Sequence, residues 1–279
     1  MMKTKLVLLI FTIVLISCDN NEEPKTAKFP LSEENNIDSD MLEEAYNKAE
    51  HISGLKSLLV SRNDILIAEQ YFTEMGADDL YHTRSVTKSV ISALIGIAIE
   101  EGFIESIDQE LSDFIQPLGY NLEGEKANIT IEHLLTMSAG FEWNEFGNNY
   151  SYNDWVTDDD QIAYCINGEL VNTPGQTFSY SSEEAHLLSV ILTEATGMST
   201  HDFALEYFFE PLGMDVEDFG WGQFPQGYFN GGADLSLKPR DMIKIGNLYL
   251  NNGIYNGKPI VPSAWVQDST SYHISTNLG

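Results

Sequence analysis

Two apolar runs near the start of the chain are predicted to pair as strands. Residues 55–61 and 65–72 are rich in large and β-branched side chains, and Arg62-Asn63-Asp64 separates them. This spacing is typical of a β-hairpin. Residues 85–101 then have the pattern of a helix that ends at a glycine. Its segment 89–99 carries no charge, and a helix that is apolar on every side is a buried helix.

The rest of the chain alternates between short helical stretches and polar loops, and its pattern contains no second hairpin. The predicted helices run from Ser39 or Asp40 to about His51, over 131–136, over 182–196 before Gly197, and from Pro239 to about Gly253. Capping residues at the first turn and glycine just past the last turn set these limits.

The N-terminus has the pattern of a secretory signal peptide. Lys3 and Lys5 precede an apolar run over 6–16, which is too short to span a bilayer, where ~20 residues are needed. The letters that follow, up to Cys18, resemble a bacterial lipobox, in which the cysteine carries the lipid. An ordinary signal peptide with an incidental cysteine is the alternative. We expect a signal peptide over 1–17, a polar tether over 18–36 and a folded domain over 37–279, exported and held at a bacterial envelope membrane by lipid alone.

The charge and the cysteine and histidine content limit the partners and the kinds of site that we expect for this chain. The chain has 14 basic and 43 acidic residues and a net charge of −29, so nucleic acid is not an expected partner. Cys18 and Cys165 lie too far apart in sequence and context to suggest a disulfide framework. The six histidines are scattered singly, so we predict neither a metal nor a cofactor.

Ser85-Val86-Thr87-Lys88 is the strongest candidate for catalysis, because it matches the S-x-x-K pattern. On a helix, residues three apart share a face, so the lysine amine can reach the serine hydroxyl. Lysine activates serine only when neutral, and burial and the helix dipole both disfavour its cation. A helix cap with a snorkelling lysine is the alternative. Ser53 and Lys56 share the spacing, but they enter a predicted strand, where residues three apart do not meet.

Four segments, in this order, resemble one known family. They are 82–89 (HTRSVTKS), 129–140 (ITIEHLLTMSAG), 174–182 (PGQTFSYSS) and 237–252 (LKPRDMIKIGNLYLNN). The family is that of the serine β-lactamase-related hydrolases, which includes class C β-lactamases, D-Ala-D-Ala carboxypeptidases, esterases and 6-aminohexanoate-oligomer hydrolases. The resemblance implies an α+β fold, with an antiparallel sheet flanked by helices and a mainly helical insert region.

The same resemblance assigns roles to further residues. Tyr180 stands where the family has a tyrosine that shares proton transfer with the lysine. Tyr228 and Tyr249 match the family's Tyr-x-Asn letters better, but Tyr180 has the expected position after Pro174-Gly175. Ser182, where asparagine is commonest, is the predicted substrate-binding residue, and this shift weakens the case for β-lactamase activity.

The resemblance also implies a third motif, Lys-Thr-Gly or His-x-Gly, which we expect beyond Gly279 in a longer chain. The predicted function is hydrolysis of a small ester, amide, peptidoglycan-type or β-lactam substrate through an acyl-enzyme on Ser85. Two alternatives remain: a penicillin-binding or sensor-like lipoprotein that acylates without efficient turnover, and a non-catalytic surface lipoprotein on the same scaffold.

Overall fold

The computed structural model describes residues 31–146 and 151–276, and it has an α+β fold. The helices are α1 (Leu31–Glu34), α2 (Ser39–Ala49), α3 (Thr87–Glu100), α4 (Leu111–Ile115), α5 (Ile131–Leu135), α6 (Ser151–Thr157), α7 (Gln161–Asn167), α8 (Ser182–Thr196), α9 (Thr200–Ala204), α10 (Pro239–Leu250) and α11 (Ser263–Ser269). The strands are β1 (Ser57–Arg62), β2 (Ile65–Tyr71), β3 (Tyr81–His82), β4 (Phe219–Trp221), β5 (Leu235–Leu237), β6 (Ile254–Tyr255) and β7 (Lys258–Pro259). Among these residues, none of the helices is both long and apolar enough to cross a membrane.

The predicted N-terminal boundary of the folded domain is revised by α1. The signal peptide, Cys18 and the tether up to residue 30 lie outside the described residues. The last part of the predicted tether, however, forms α1, where Ser32 is buried and its carbonyl accepts the N–H of Ile37 at 2.8 Å. The folded domain therefore includes α1. The next helix, α2, is capped by Asp38, one residue before the predicted cap, because its carboxylate accepts the N–H groups of the first turn.

The predicted hairpin is confirmed as the antiparallel pair β1–β2. Its turn residues Asn63 and Asp64 both have positive φ, 51° and 64°, which matches the right-handed twist of the flanking strands. One side of the pair packs on α2, where the Tyr46 hydroxyl donates to the carbonyl of Leu58 at 3.1 Å. A small apolar cluster of Leu42, Tyr46, Ile67 and Ala68 fills this layer.

The prediction of a single hairpin is wrong, and a further sheet was not predicted. Strands β6 and β7 form a second antiparallel pair around Asn256-Gly257, both with positive φ, and Asn-Gly is a strong hairpin signal. A second sheet with the order β3-β5-β4 joins three distant parts of the chain. Its strands have two or three residues each, which is too short for an alternating pattern to be visible in the sequence.

The main core surrounds α3 and α8, which pack against each other in the centre of the domain. The predicted burial of α3 is confirmed: Val90, Ile91 and the run from Ala93 to Ala98 are buried. Gly96 allows α11 to dock there, because a Cβ at this position would overlap the Trp265 ring. The predicted α8 is confirmed over 182–196, and Gly197 ends it in the left-handed conformation at φ 68°. The core thus fixes two helices whose N-terminal ends carry Ser85–Lys88 and Ser182.

Candidate active site

Ser85 lies in a tight turn immediately before α3. Residues Arg84–Val86 form a short 3₁₀ turn, and the Ser85 side chain is exposed to solvent. Arg84 has φ 54°, an uncommon conformation for a residue with a side chain. Its N–H donates to His82 Nδ1 at 3.3 Å and its carbonyl accepts from the Thr87 hydroxyl at 2.6 Å. These bonds hold the turn that presents Ser85 at the head of the buried helix.

Two buried threonines tie this turn to strand β5. The Thr83 N–H and hydroxyl both donate to the carbonyl of Leu235, each at 2.8 Å. The Leu235 N–H in turn donates to the Thr87 hydroxyl at 3.3 Å. Because both sides of this junction are buried and hydrogen-bonded, the turn around Ser85 and the segment leading into β5 are held in one arrangement.

Lys88 lies one turn after Ser85, with its amine surrounded by three acceptors. Its Nζ donates to Ser85 Oγ at 3.3 Å, to Ser182 Oγ at 2.9 Å and to the carbonyl of Gly232 at 2.6 Å. Burial lowers the pKa of Lys88 to about 8, although the negative charge of Glu145 acts to raise it. An amine with that pKa is neutral in about a tenth of molecules at pH 7, so it is available as a base.

Tyr180 lies beside the same amine. The Lys88 Nζ is 5.0 Å from the centroid of the Tyr180 ring, and Phe146 stacks on that ring with centroids 5.7 Å apart. Burial raises the pKa of the Tyr180 phenol, and an interaction with the Ser85 hydroxyl partly opposes this rise. Tyr180 is therefore protonated near neutral pH and is placed to donate or relay a proton. The loop before it is held by a hydrogen bond from the Ser179 N–H to the carbonyl of Met137 at 2.9 Å.

A cleft opens beside Tyr180. It has a volume of about 700 Å³. Its walls are Leu135, Thr136, Met137, Phe178, Tyr180 and residues 271–276. Tyr180, whose ring also lies beside the Lys88 amine, is the wall residue that this cleft shares with the site.

In the described part of the chain, no three His, Cys, Asp or Glu side chains are grouped so that they could hold a metal ion. The side chains that the structure does bring together are those of Ser85, Lys88, Tyr180 and Ser182. A model of the family described as Beta-lactamase matches residues 40–276.

The chain belongs to the Beta-lactamase family.

The chain is similar to one curated hydrolase and to several solved structures. The 6-aminohexanoate-dimer hydrolase of Paenarthrobacter ureafaciens is 24% identical over 226 residues, covering 76% of this chain and 56% of the relative. Among solved structures, the octameric penicillin-binding protein homologue from Pyrococcus abyssi has a TM-score of 0.68 at 20% identity, covering 87% of this chain and 62% of that one. EstCE1, a hydrolase with promiscuous acyltransferase activity, has a TM-score of 0.62 at 16% identity, covering 81% and 74%. These structural likenesses establish the Beta-lactamase fold. This chain spans from 35% to 62% of the length of the curated relatives that it matches.

The competing sequence matches lie away from the group formed by Ser85, Lys88 and Tyr180. The Tyr228 hydroxyl donates to Glu194 Oε1 at 2.7 Å, and burial together with that bond raises the pKa of Tyr228. Tyr249 packs against the main core from α10. Ser53 and Lys56 are exposed in the turn before β1. The structure thus brings together Ser85 and Lys88, which the S-x-x-K pattern predicts, and Tyr180, which the family resemblance predicts. Their catalytic roles stay a prediction.

Ser182 also lies in this group, but its surroundings differ from the expectation. Its side chain is only 1% exposed, and its hydroxyl donates to Glu145 Oε1 at 2.7 Å while accepting from Lys88. A hydroxyl has one hydrogen to donate, and this one is already used. Substrate binding by Ser182 stays a prediction that its burial does not favour.

Two contributors were missed in the sequence, Glu145 and the carbonyl of Gly232. The hydrogen bonds to Asn230 Oδ1 from the N–H groups of Gly232 (2.9 Å) and Ala233 (3.2 Å) hold the turn that delivers this carbonyl. A Cβ on Gly232 would lie 2.6 Å from the carbonyl oxygen of Ser182, so only glycine allows such a close approach. Two adjacent glycines at 231–232 were a visible signal of close backbone packing, whereas Glu145 carried no signal of its own.

Proposed function

We propose that this chain is a serine hydrolase that cleaves small esters or amides through an acyl-enzyme on Ser85. The observation that carries the proposal is the 3.3 Å hydrogen bond from Lys88 Nζ to Ser85 Oγ, made by an amine whose pKa burial has lowered to about 8. Serine becomes a useful nucleophile when such a base takes its proton. The names of the relatives, which include a 6-aminohexanoate-dimer hydrolase and a hydrolase with acyltransferase activity, point to the same chemistry.

The proposed reaction has two halves. In the first, neutral Lys88 accepts the Ser85 proton as Ser85 Oγ bonds to the substrate carbonyl carbon. The phenol of Tyr180 then passes its proton to the leaving group as the bond to that group breaks, and it regains a proton from Lys88. The backbone N–H of Ser85 is expected to stabilise the tetrahedral oxyanion. In the second half, water attacks the acyl-enzyme with Lys88 and Tyr180 as the same acid–base pair, and Ser85 regains its proton.

Hydrolysis of p-nitrophenyl acetate tests this function. We expect the wild type to turn over the ester and Ser85→Ala to lose at least 10³-fold in kcat, because the nucleophile is gone. Ser53→Ala is the matched control, since Ser53 has the same three-residue spacing to a lysine but is exposed in a turn. Equal activity in wild type and Ser85→Ala would contradict the proposal. An acyl adduct that forms on Ser85 and persists would instead favour the penicillin-binding alternative.

We also propose that the protein is exported and anchored by lipid on Cys18. The basic start, the short apolar run and the cysteine at the expected cleavage point support this proposal. Fractionation should place the wild type with membranes and Cys18→Ser in the soluble fraction. Cys165→Ala is the control, because Cys165 is a buried free cysteine inside the domain. A Cys18→Ser variant that stayed in the membrane pellet would count against lipid anchoring.

A further inference from the structure

Glu145 is a buried acid at the back of the site. Its side chain is only 8% exposed. Oε2 accepts the indole N–H of Trp143 at 2.8 Å and the backbone N–H of Ser182 at 3.0 Å, and Oε1 accepts the Ser182 hydroxyl at 2.7 Å. Three donors directed at one buried carboxylate satisfy it as an anion. Glu145 is therefore a charged group built into the wall behind Lys88.

These bonds fix the direction of the Ser182 hydroxyl. Its single hydrogen is committed to Glu145, so the side facing Lys88 Nζ, 2.9 Å away, presents an oxygen lone pair. A hydroxyl that was free to rotate could turn its hydrogen toward Lys88 and repel the ammonium. Glu145 prevents this rotation, and it acts on Lys88 through Ser182.

We propose that Glu145 is a positioning residue: through the Ser182 hydroxyl it holds Lys88 Nζ beside Ser85 and stabilises the ammonium formed when Lys88 takes the Ser85 proton. This inference rests on the proposed function, since it assigns a role within the same reaction. The proton leaves Ser85 Oγ as that oxygen bonds to the acyl carbon, and it resides on Lys88. As the carbonyl re-forms, Tyr180 gives its own proton to the leaving group and takes the proton held by Lys88. Glu145 itself gains and loses no proton.

Among the described residues, Glu145 and Tyr180 are the titratable groups that face Lys88. On α8, Glu183 interacts with Cys165 and Glu184 accepts from the N–H of Ala139. Two residues after Gly232, Asp234 pairs with His82 at 3.1 Å and accepts from the Asn230 amide. Glu145 is the acid that acts to raise the pKa of Lys88 against the effect of burial. Removing its charge should therefore lower that pKa further.

The test is the rate of inactivation by a fluorophosphonate, measured from pH 5 to 10. This reagent displaces fluoride with the serine oxygen, so the rate reports activation of Ser85 without any need for turnover. In Glu145→Gln we expect the midpoint of the acid limb to fall by about one pH unit, because an opposite charge near Lys88 is lost. The high-pH plateau should fall about 10-fold, because the amide cannot accept from all three donors. Glu142→Gln, an exposed acid on the same segment, is the matched control and should leave the profile unchanged.

Two further variants separate positioning from a general structural role. Ser182→Ala should shift the midpoint in the same direction by a smaller amount, because it removes one acceptor of the ammonium but keeps the acid. If Glu145 acts through Ser182, Glu145→Gln and Ser182→Ala together should reduce the plateau by less than the product of the single effects. Glu145→Asp should keep the wild-type midpoint, since the charge remains, and lower the plateau. Thermal unfolding of each variant identifies those that fold. If Glu145→Gln does not fold, Ser182→Ala and Glu145→Asp together test whether Glu145 positions Lys88.

Outcomes distinguish this inference from the proposed function. A wild type that the reagent does not label would overturn both. A wild type that is labelled on Ser85, with an unshifted midpoint in folded Glu145→Gln and fully multiplicative losses in the double variant, would overturn the role of Glu145 and leave the hydrolase intact.

Discussion

Lys88 and Tyr180 lie together in surroundings that move their pKa values apart. Burial lowers the pKa of Lys88 to about 8 and raises that of Tyr180. Near neutral pH the phenol is an acid with a proton to give, while a minor fraction of the amine is a base. Pairs of titratable groups with opposed shifts are typical of acid–base sites.

The first prediction concerns the identity of the acid–base pair. Lys88→Ala and Tyr180→Phe should each lower kcat for a small ester by ~10²-fold or more, the loss expected when general acid–base catalysis is removed. Tyr228→Phe is the control, because its hydroxyl bonds to Glu194 rather than to the nucleophile group. Steady-state kinetics on the three variants, with thermal unfolding to check that each folds, measures this. A crippled Tyr228→Phe beside an active Tyr180→Phe would show that the wrong tyrosine was chosen.

The second prediction is the pH dependence of catalysis. In the proposed mechanism Lys88 acts as a neutral base. We therefore expect kcat/KM to increase with pH and to reach half its plateau near pH 8, where the amine loses its proton. The raised pKa of Tyr180 keeps the phenol protonated across this range, so we expect no fall in rate before about pH 10. A pH–rate profile corrected for spontaneous ester hydrolysis provides the measurement. A rate that falls between pH 7 and 9 is incompatible with a neutral lysine base.

At the residue scale, the sequence predicts contacts between residues that lie close together along the chain. Ser85 and Lys88 are three positions apart, and helical periodicity alone brings them together. The Gly232 carbonyl is 144 residues from Lys88, and Glu145 is 37 residues from Ser182. No periodic pattern links positions so far apart, and one glutamate among 43 acidic residues carries no mark of burial. Tyr180 was chosen over its rivals by family resemblance rather than by physical argument.

At the element scale, the turn at 230–233 and the head of α8 form one wall of the site. Gly231 lies against the carbonyl of Ala185 so closely that a Cβ would overlap it. Gly232 approaches Ser182 in the same way and presents its carbonyl to Lys88. The position of the Lys88 amine therefore depends on the contact between this turn and the N-terminal end of α8.

The third prediction tests this contact. Gly232→Ala should destabilise the protein by about 1–3 kcal/mol, because its Cβ would lie 2.6 Å from the Ser182 carbonyl oxygen and force the turn away. Ester hydrolysis should fall by about 10-fold or more as Lys88 loses an acceptor. Gly246→Ala is the matched control: it lies in open space within α10, where alanine should stabilise by about 0.5–1 kcal/mol. Thermal unfolding and the kinetics of ester hydrolysis are compared for the two variants and the wild type. Wild-type activity and stability in Gly232→Ala would mean that the close contact between Gly232 and Ser182 is not needed for folding or activity.

Elements with strong periodicity or clear end signals were predictable, and the others were not. The sequence predicts α8 over its full length because capping residues and Gly197 mark both ends. It predicts α10 to within three residues of its C-terminal end. The strands β3, β4 and β5 escaped prediction, since two or three residues cannot show alternation and their partners are distant in sequence. The β6–β7 pair was missed although Asn256-Gly257 signals such a turn.

At the scale of the whole molecule, the net charge of −29 is the largest source of electrostatic repulsion. Like charges at this density repel one another and destabilise a compact state, and salt screens them over about 10 Å at 0.1 M. Ion pairs such as Lys238–Asp218 and Arg240–Glu69 neutralise few of the acids. The fold therefore has to tolerate a repulsive surface.

The fourth prediction follows from this charge. The midpoint of thermal unfolding should rise as NaCl increases from ~10 mM to ~500 mM at pH 7.5, because screening weakens a repulsion that is stronger in the compact folded state. Matched sucrose solutions control for general exclusion of solute. A midpoint that fell with added NaCl would show that attractive ion pairs outweigh the repulsion.

The central claim is that Ser85 is the nucleophile and that Lys88 activates it. The most direct measurement is peptide mapping of the adduct formed with a fluorophosphonate at pH 8 in wild type, Ser85→Ala and Lys88→Ala. The account predicts one adduct per chain on Ser85 in the wild type, none in Ser85→Ala, and labelling at least ~10²-fold slower in Lys88→Ala. An adduct on Ser53 or another serine, or labelling that persists in Ser85→Ala at the wild-type rate, would contradict it.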